Sequence, residues 1–396
     1  MAPPNTQLQL AIVSGHLTPY RHHLHRRVAG ELENVCLHSL FTETRTVDRW
    51  AFEDSPQINA VAIDRMQPDK GRWLGCGASE GWSIGGRVIR YLIERSIDAV
   101  VLNGWSGLDR LRVLRWCHRH DVPLFIRADS NIQSECARGF KAKVKSFILP
   151  KVLKRTRGGM YMGRHGKAFF LKYGMTSDRL FQVPYEPDYS DFEGESEGLP
   201  RSFGSLETGF LSRRHIVFSG RFVDVKRVDL LIEAFVDLAD RRGDWDLILL
   251  GDGPLRDELE ASVPERLMPR VHWLGFVSDP AAIAAIYRRS DVLALPSDHE
   301  PWGVVVNEAA ASGLAIVASS AVGAAADLVR DGFNGYTFER GDSKSFIKVL
   351  DLATDAHRID SLKIKSHEVM REWKQLADPI QGLRLALESV RRPAVH

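Results

Sequence analysis

Short apolar runs alternate with amphipathic stretches along this chain, and the alternation occurs in two series. In the first, 8–13 is an apolar run ending in the polar turn Ser14-Gly15-His16, and 34–40, 99–102 and 123–126 are further runs of strand length. Helical periodicity marks 83–96 and 107–119 between them. Strands separated by helices in this way build βαβ units and a parallel sheet. The pattern lapses at about 186–213, where Pro, Gly, Ser and Glu dominate and the composition is that of a linker. The second series places strands at 215–219, 246–250, 271–274, 291–295 and 315–318. A helix over 228–240 sets Val228, Leu231, Ile232 and Phe235 on one face. Beyond about 345 the chain reads as helical, through Trp373 and the turn Asp378-Pro379 into a last helix at 380–391. The expectation is an α/β protein with two doubly wound domains facing across a cleft. They span 1–189 and 214–375, with a linker at 190–213 and a C-terminal segment at 376–396 able to pack back on the first.

Composition narrows the class. The chain has 396 residues, enough for two ordinary domains, with 44% apolar and 26% charged residues, as in folded proteins. A net charge of +2 argues against a dedicated nucleic-acid binder. The four cysteines, Cys36, Cys76, Cys117 and Cys136, form no C-x-x-C pair, which fits a reducing compartment. No signal peptide and no apolar span is read, so a cytoplasmic protein is expected, peripheral on the inner face of the plasma membrane if it meets a membrane.

In open parallel sheets, ligands bind beyond the carboxyl ends of the strands, beside helix N-termini. Four turns of the second series lie there. Ser219-Gly220-Arg221-Phe222-Val223-Asp224-Val225-Lys226 carries two cations, either an anion site suited to a diphosphate or two solvated surface charges. Gly251-Asp252-Gly253-Pro254 allows close backbone approach, or is a plain structural turn. Gly275-Phe276-Val277 offers backbone groups and an apolar wall to a flat base. The fourth, Asp298-His299-Glu300-Pro301-Trp302-Gly303, leads into a helix from Val304 that stops at Gly313. Glu308 lies on that helix among Val305, Ala309, Ala310 and Ala311, so if buried it needs a partner: sugar or ribose hydroxyls, or a structural cation. Eight positions separate Glu300 from Glu308, too far for the paired carboxyls of a retaining glycosidase.

Two stretches of the first series stand out. His22, His23 and His25 follow Pro19-Tyr20-Arg21 without a completing carboxylate or Cys, which favours a solvated or acceptor-facing helix start over a metal site. Lys141, Lys143, Lys145, Lys151, Lys154, Arg155 and Arg157 interleave with Val144, Phe147, Ile148, Leu149, Val152 and Leu153. Pro150 is expected to divide this stretch into two short amphipathic helices. Lys143, Lys145, Phe147, Lys151 and Lys154 then present a surface for anionic lipid, the alternative being a solvated basic face.

The setting E-P-W-G-V-V-V-N-E-A-A-A-S-G, with seven residues between Glu300 and Glu308, resembles the E-x7-E signature of retaining glycosyltransferases of the GT-B fold, family 4. The turns S-G-R-F-V-D-V-K, L-L-G-D-G-P-L and V-H-W-L-G-F-V occur in the family's order. The resemblance is specific over 184–345 and weaker over 8–183. It implies a UDP- or GDP-linked hexose donor held by the second domain, and a glycolipid, lipid-linked or oligosaccharide acceptor on the first, in surface polysaccharide or lipopolysaccharide synthesis. By the same resemblance Arg221 and Lys226 bind the diphosphate, Glu308 the ribose and Glu300 the transferred sugar. Trp302, Gly303 and Val304 offer backbone amides, and Gly251 and Phe276 line the donor. Gly15 allows close approach, with His16 beside it. No cofactor and no metal is implied. Retention is explained in the family by same-face attack, the leaving phosphate taking the acceptor proton. Where many relatives carry a His facing the donor sugar, this chain has Asp129, which either binds a sugar hydroxyl or caps a helix starting at Asn131. A sugar-nucleotide epimerase of the same fold and a degenerate binding subunit are the competing readings.

Overall fold

A computed structural model describes residues 7–43, 58–63, 78–133, 135, 139–194 and 213–391. Two parallel sheets form the molecule. The first contains β1 (Leu8–Ser14), β2 (Val35–Phe41), β3 (Ala60–Ala62), β4 (Ala99–Asn103), β5 (Leu124–Arg127), β6 (Gly158–Tyr161) and β7 (Leu180–Gln182), in the order β3-β2-β1-β4-β5-β6-β7. The second contains β8 (Arg214–Ser219), β9 (Trp245–Leu250), β10 (Val271–Gly275), β11 (Val292–Leu295), β12 (Ala315–Ser319) and β13 (Gly335–Phe338), in the order β10-β9-β8-β11-β12-β13. Both are Rossmann-like. Each order reverses beside its first strand, between β1 and β4 and between β8 and β11, and that reversal opens the crevice in which such sheets bind ligands.

The strands are apolar because helices cover both sheet faces: all five residues of β4 and all six of β9 are buried. The apolar runs of the sequence locate β1, β2, β4, β5 and β8 to β12 within a residue or two. Four strands had no such signal. β6 is Gly-Gly-Met-Tyr, and its glycines answer to packing: a Cβ on Gly158 would lie 2.7 Å from Arg179 O, and one on Gly159 2.8 Å from Met175 Sδ. β3, β7 and β13 are three or four residues long.

Two local expectations are corrected. The basic stretch forms one helix, Gly139–Leu153, which runs through Pro150. The proline lies in its last turn, where Leu149, Val152 and Leu153, all buried, anchor the helix to the core. No helix starts at Asn131, so Asp129 caps none there.

Near the C-terminus, helix Ile359–Leu376 packs on helix Val304–Ala311, and helix Pro379–Arg391 then packs on β7 and helix Pro19–Glu31. Ile380, Leu383, Ala386 and Leu387 enter the same buried cluster as Leu10, Ile12, Val101 and Phe125. Gly382 makes this possible, since a side chain there would overlap Gln182 O.

Candidate active site

Loops at the carboxyl ends of β8 to β12 form one wall of the cleft. Three of them are knitted by their main chains: Gly220 N donates to Leu250 O (2.9 Å), Phe222 N to Asp252 O (3.0 Å) and Gly251 N to Gly275 O (2.8 Å). Gly251, at φ +138°, lies so close that a Cβ would overlap Gly220 O, so the chain's own packing demands this glycine. Arg221 is exposed on the first loop. Lys226 ends the 3-10 turn Asp224–Lys226, and its ammonium pairs directly with the Glu300 carboxylate. Phe276 follows Gly275 and is 49% exposed.

The Glu300 loop is braced from behind by the segment after β12. Gly323 N donates to Glu300 O (3.0 Å) and Ala324 N to Trp302 O (2.8 Å). Gly303, at φ +90°, starts helix Val304–Ala311, whose first N–H groups have no acceptor within the helix and give it a positive end beside Glu300. The Trp302 ring faces away. It is buried, stacks on Trp373 at 5.6 Å and donates to Asn307 Oδ1 (3.1 Å), which leaves only its main chain for a ligand. On the helix, Glu308 accepts a long hydrogen bond from Tyr287 OH (3.4 Å). Burial pushes its carboxyl up to about 7, which the Tyr287 bond partly offsets. This carboxyl has no cation within ion-pair distance among the described residues, whereas Lys226 and Glu300 neutralise each other.

The opposite wall comes from the ends of β1, β4 and β5. Arg21 Nη1 donates to His16 O (2.7 Å), and burial, with Arg21 beside it, lowers the pKa of the His16 ring. A Cβ on Gly15 would meet Arg110 and Glu43 only at ordinary contact, 3.5 and 3.6 Å, so internal packing does not demand this glycine. Burial raises the Asp129 carboxyl, Arg21 and Arg127 oppose the rise, and Glu300 across the cleft adds to it. Asp129 and Glu300 are therefore within electrostatic reach of each other. Arg127, beside Asp129 in sequence, is structural: its guanidinium donates to Val183 O (3.0 Å) and Pro184 O (2.8 Å) and lies 4.4 Å from the Tyr185 ring centre.

The histidine run is not a solvated helix start. His25 is buried against Ser39 Oγ, with its pKa pushed down to about 3 by burial, and His23 lies 3.3 Å from Asp188. Among the described residues no group of three His, Cys, Asp or Glu is placed to hold a metal. Of the residues expected to present a basic surface on this helix, Lys145 is turned inward. Lys145 pairs with Glu135 (2.6 Å) over the Phe169 ring, and Leu149 is fully buried. Val144, Phe147 and Ile148 are exposed, as are Lys143, Lys151 and Lys154. No helix among the described residues is long and apolar enough to cross a membrane. Arg21, Asn131, Tyr287 and Asp327 went unnoticed as site residues, because each acts through a contact distant in sequence.

Residues 208–365 match the family described as glycosyl transferases group 1. Arg221, Lys226, Gly251, Phe276, Glu300, Gly303 and Glu308 all fall inside the matched residues. D-inositol 3-phosphate glycosyltransferase of Rhodococcus erythropolis is 28% identical over 242 residues, 58% of this chain and 52% of that protein. The chain spans about half the length, or less, of the curated relatives it matches. Among solved structures, Anabaena HepE in complex with UDP and glucose superposes with a TM-score of 0.69 at 17% identity, over 97% of this chain and 99% of that one. WaaG, described as a glycosyltransferase involved in lipopolysaccharide biosynthesis, superposes at 0.66 and 18% identity over 97% and 100%. These likenesses establish the GT-B fold: two Rossmann-like domains facing a central cleft.

Proposed function

We propose that the chain is a retaining hexosyltransferase that takes its sugar from a UDP- or GDP-linked donor. One observation carries the reading. Lys226 and Glu300 pair at the positive end of a helix on which Glu308 has no cation within ion-pair distance among the described residues, so a donor that parts the pair meets a cation for its diphosphate and two carboxylates for its hydroxyls. Sugar and ribose hydroxyls donate to carboxylates in charge-assisted bonds. The HepE complex with UDP and glucose shows such a ligand in a protein of this fold. In the transfer, the bond from the sugar's anomeric carbon to the phosphate oxygen breaks. The acceptor oxygen bonds to that carbon, and its proton passes to the leaving phosphate. Charge developing on the phosphate is met by Lys226, Arg221 and the helix terminus, fixed in place beforehand, and no metal is needed. Asp129, within electrostatic reach of Glu300, is placed to bind a hydroxyl of the sugar or acceptor, with His16 and Gly15 lining the acceptor side.

The acceptor is a glycolipid or lipid-linked oligosaccharide on an anionic membrane surface, in synthesis of a cell-surface polysaccharide. Supporting this, helix Gly139–Leu153 exposes Phe147 at 66% amid Lys143, Lys151 and Lys154, with Lys151 Nζ 3.4 Å from the Phe147 ring centre. The protein would then be a peripheral one on the cytoplasmic face.

A thermal-shift and calorimetric screen of UDP, GDP and their sugars tests the donor, because a ligand that binds only the folded state raises its stability. Stabilisation by one nucleotide series and retained activity in a chelator are expected. No response to any nucleotide refutes the reading.

A further inference from the structure

Helix Arg164–Lys172 belongs to the first half, yet its cap comes from the second. Its N-cap position holds Gly163, where Ser, Thr, Asp or Asn would ordinarily accept a bond from the first turn. The Asp327 carboxylate does so instead: Arg164 N donates to Oδ2 (3.0 Å) and Oδ1 (3.3 Å), and Arg164 Nε to Oδ1 (3.3 Å). A Cβ on Gly163 would overlap Asp327 Oδ2 and lie 2.7 Å from the Trp302 ring, so the missing side chain is what lets the halves meet. Close by, Asn131 of the first half donates its side-chain amide to Pro301 O (2.9 Å) and Glu300 O (3.3 Å), main-chain atoms of the second half's loop.

We infer that Asp327 and Asn131 are positioning residues, which clamp the halves together, each by gripping a main-chain group of the other half. Asn131 holds the loop at Glu300 and Pro301. Asp327 docks the helix start against Trp302, the residue after Pro301. Closure of the cleft and placement of Glu300 against Asp129 are then one event, and a donor sugar lying between those carboxylates is gripped only while the clamp is shut. The clamp's effect on the sugar rests on the donor reading above; its effect on closure does not.

The test uses the full chain and four variants: Gly163→Ala, Asp327→Ala, Asp327→Asn and Asn131→Ala, each checked for an unchanged melting profile. Small-angle scattering without ligand reads closure. Gly163→Ala, Asp327→Ala and Asn131→Ala should increase the radius of gyration, and Asp327→Asn, which keeps an acceptor for the Arg164 amide, should not. In a second arm, acceptor-free release of UDP from UDP-glucose, or of GDP from GDP-mannose, should fall by about tenfold or more in the same three variants and recover in Asp327→Asn. A small displacement of reacting groups suffices for that. UDP or GDP affinity should stay within about twofold, since the nucleotide contacts lie in one half. Scattering curves identical to wild type in all variants overturn the clamp, as do equal losses for nucleotide and sugar nucleotide. If wild type neither binds nor cleaves a sugar nucleotide, the donor reading fails while scattering still decides the clamp.

Discussion

On the wall made by the second half, Lys226, Glu300, Gly303 and Glu308 stand on loops and on the first turns of one helix, with Lys226 and Glu300 paired and Glu308 buried behind them. On the wall made by the first half, the corresponding strand ends carry Arg127 and, nearby, His25. Both are buried and spent on the chain's own atoms: Arg127 on two carbonyls after β7, His25 on Ser39. Among the described residues, Asp129 and His16 remain on this wall, with Arg21 beside them holding His16 O. One wall thus consists of ligand-directed polar groups braced by main-chain hydrogen bonds, and the other uses comparable residues to hold its own loops. Residue type alone does not separate the two uses. What separates them is the kind of partner: Lys226 pairs with another side chain on the loops at the strand ends, whereas Arg127 is held by two main-chain carbonyls.

Substitutions on the two walls should therefore fail differently. The largest effect is expected for Glu300→Gln, which should cut turnover of a verified donor by about 100-fold or more while leaving UDP or GDP affinity nearly unchanged in calorimetry. Near wild-type turnover would remove Glu300 from the sugar site. Next, Arg127→Ala on the other wall should lower unfolding stability by about 2 kcal/mol or more, since two hydrogen bonds from a charged group are lost. Arg221→Ala should leave stability in denaturant melts unchanged. Equal effects would erase the contrast between the walls.

Glu308 sharpens the comparison through pH. Its carboxyl, raised to about 7 from 4.5, is mostly protonated in the free protein just below neutrality. Accepting hydroxyl donors favours the ionised form, so nucleotide binding should expel a proton below neutrality and tighten as pH rises toward about 7, by up to about tenfold per unit, levelling off above it. The sign for stability is opposite. The unfolded chain loses this proton near 4.5 and the folded chain near 7, so the protein loses stability as pH rises between them. Glu308→Gln should then raise Tm at about pH 8, change it little at about pH 5, and weaken nucleotide binding most at the higher pH. A pH-independent Kd in wild type would contradict this.

The smallest effect is expected on the outer face of the first half. Changing Lys143, Lys151 and Lys154 together to Glu should abolish salt-sensitive co-sedimentation with anionic vesicles and leave nucleotide affinity intact, each lysine contributing about 1 kcal/mol near such a surface. Lys145 is best spared, because its pairing with Glu135 is internal. Unchanged sedimentation would make this a solvated face.

By itself the sequence determined the two parallel-sheet series and most of the second wall. Buried parallel strands must be continuously apolar, and the turns after β8 to β11 carry their glycines, cations and carboxylates within a few residues of each strand end. Even there it left open why Gly251 is glycine, which close approach to Gly220 decides. Tertiary structure alone decided the short strands β3, β6, β7 and β13, whose residues have no period to read, and the single helix through Pro150, which buried neighbours hold together. It also decided the junction of the halves. Gly163 looks like a missing cap until Asp327, 164 positions away, is found filling it. Asn131 looks like a loop residue until its amide meets the consecutive carbonyls of Glu300 and Pro301. Periodicity and composition report a residue's near neighbours. A hydrogen bond between halves depends on how two finished surfaces meet, and nothing local records that.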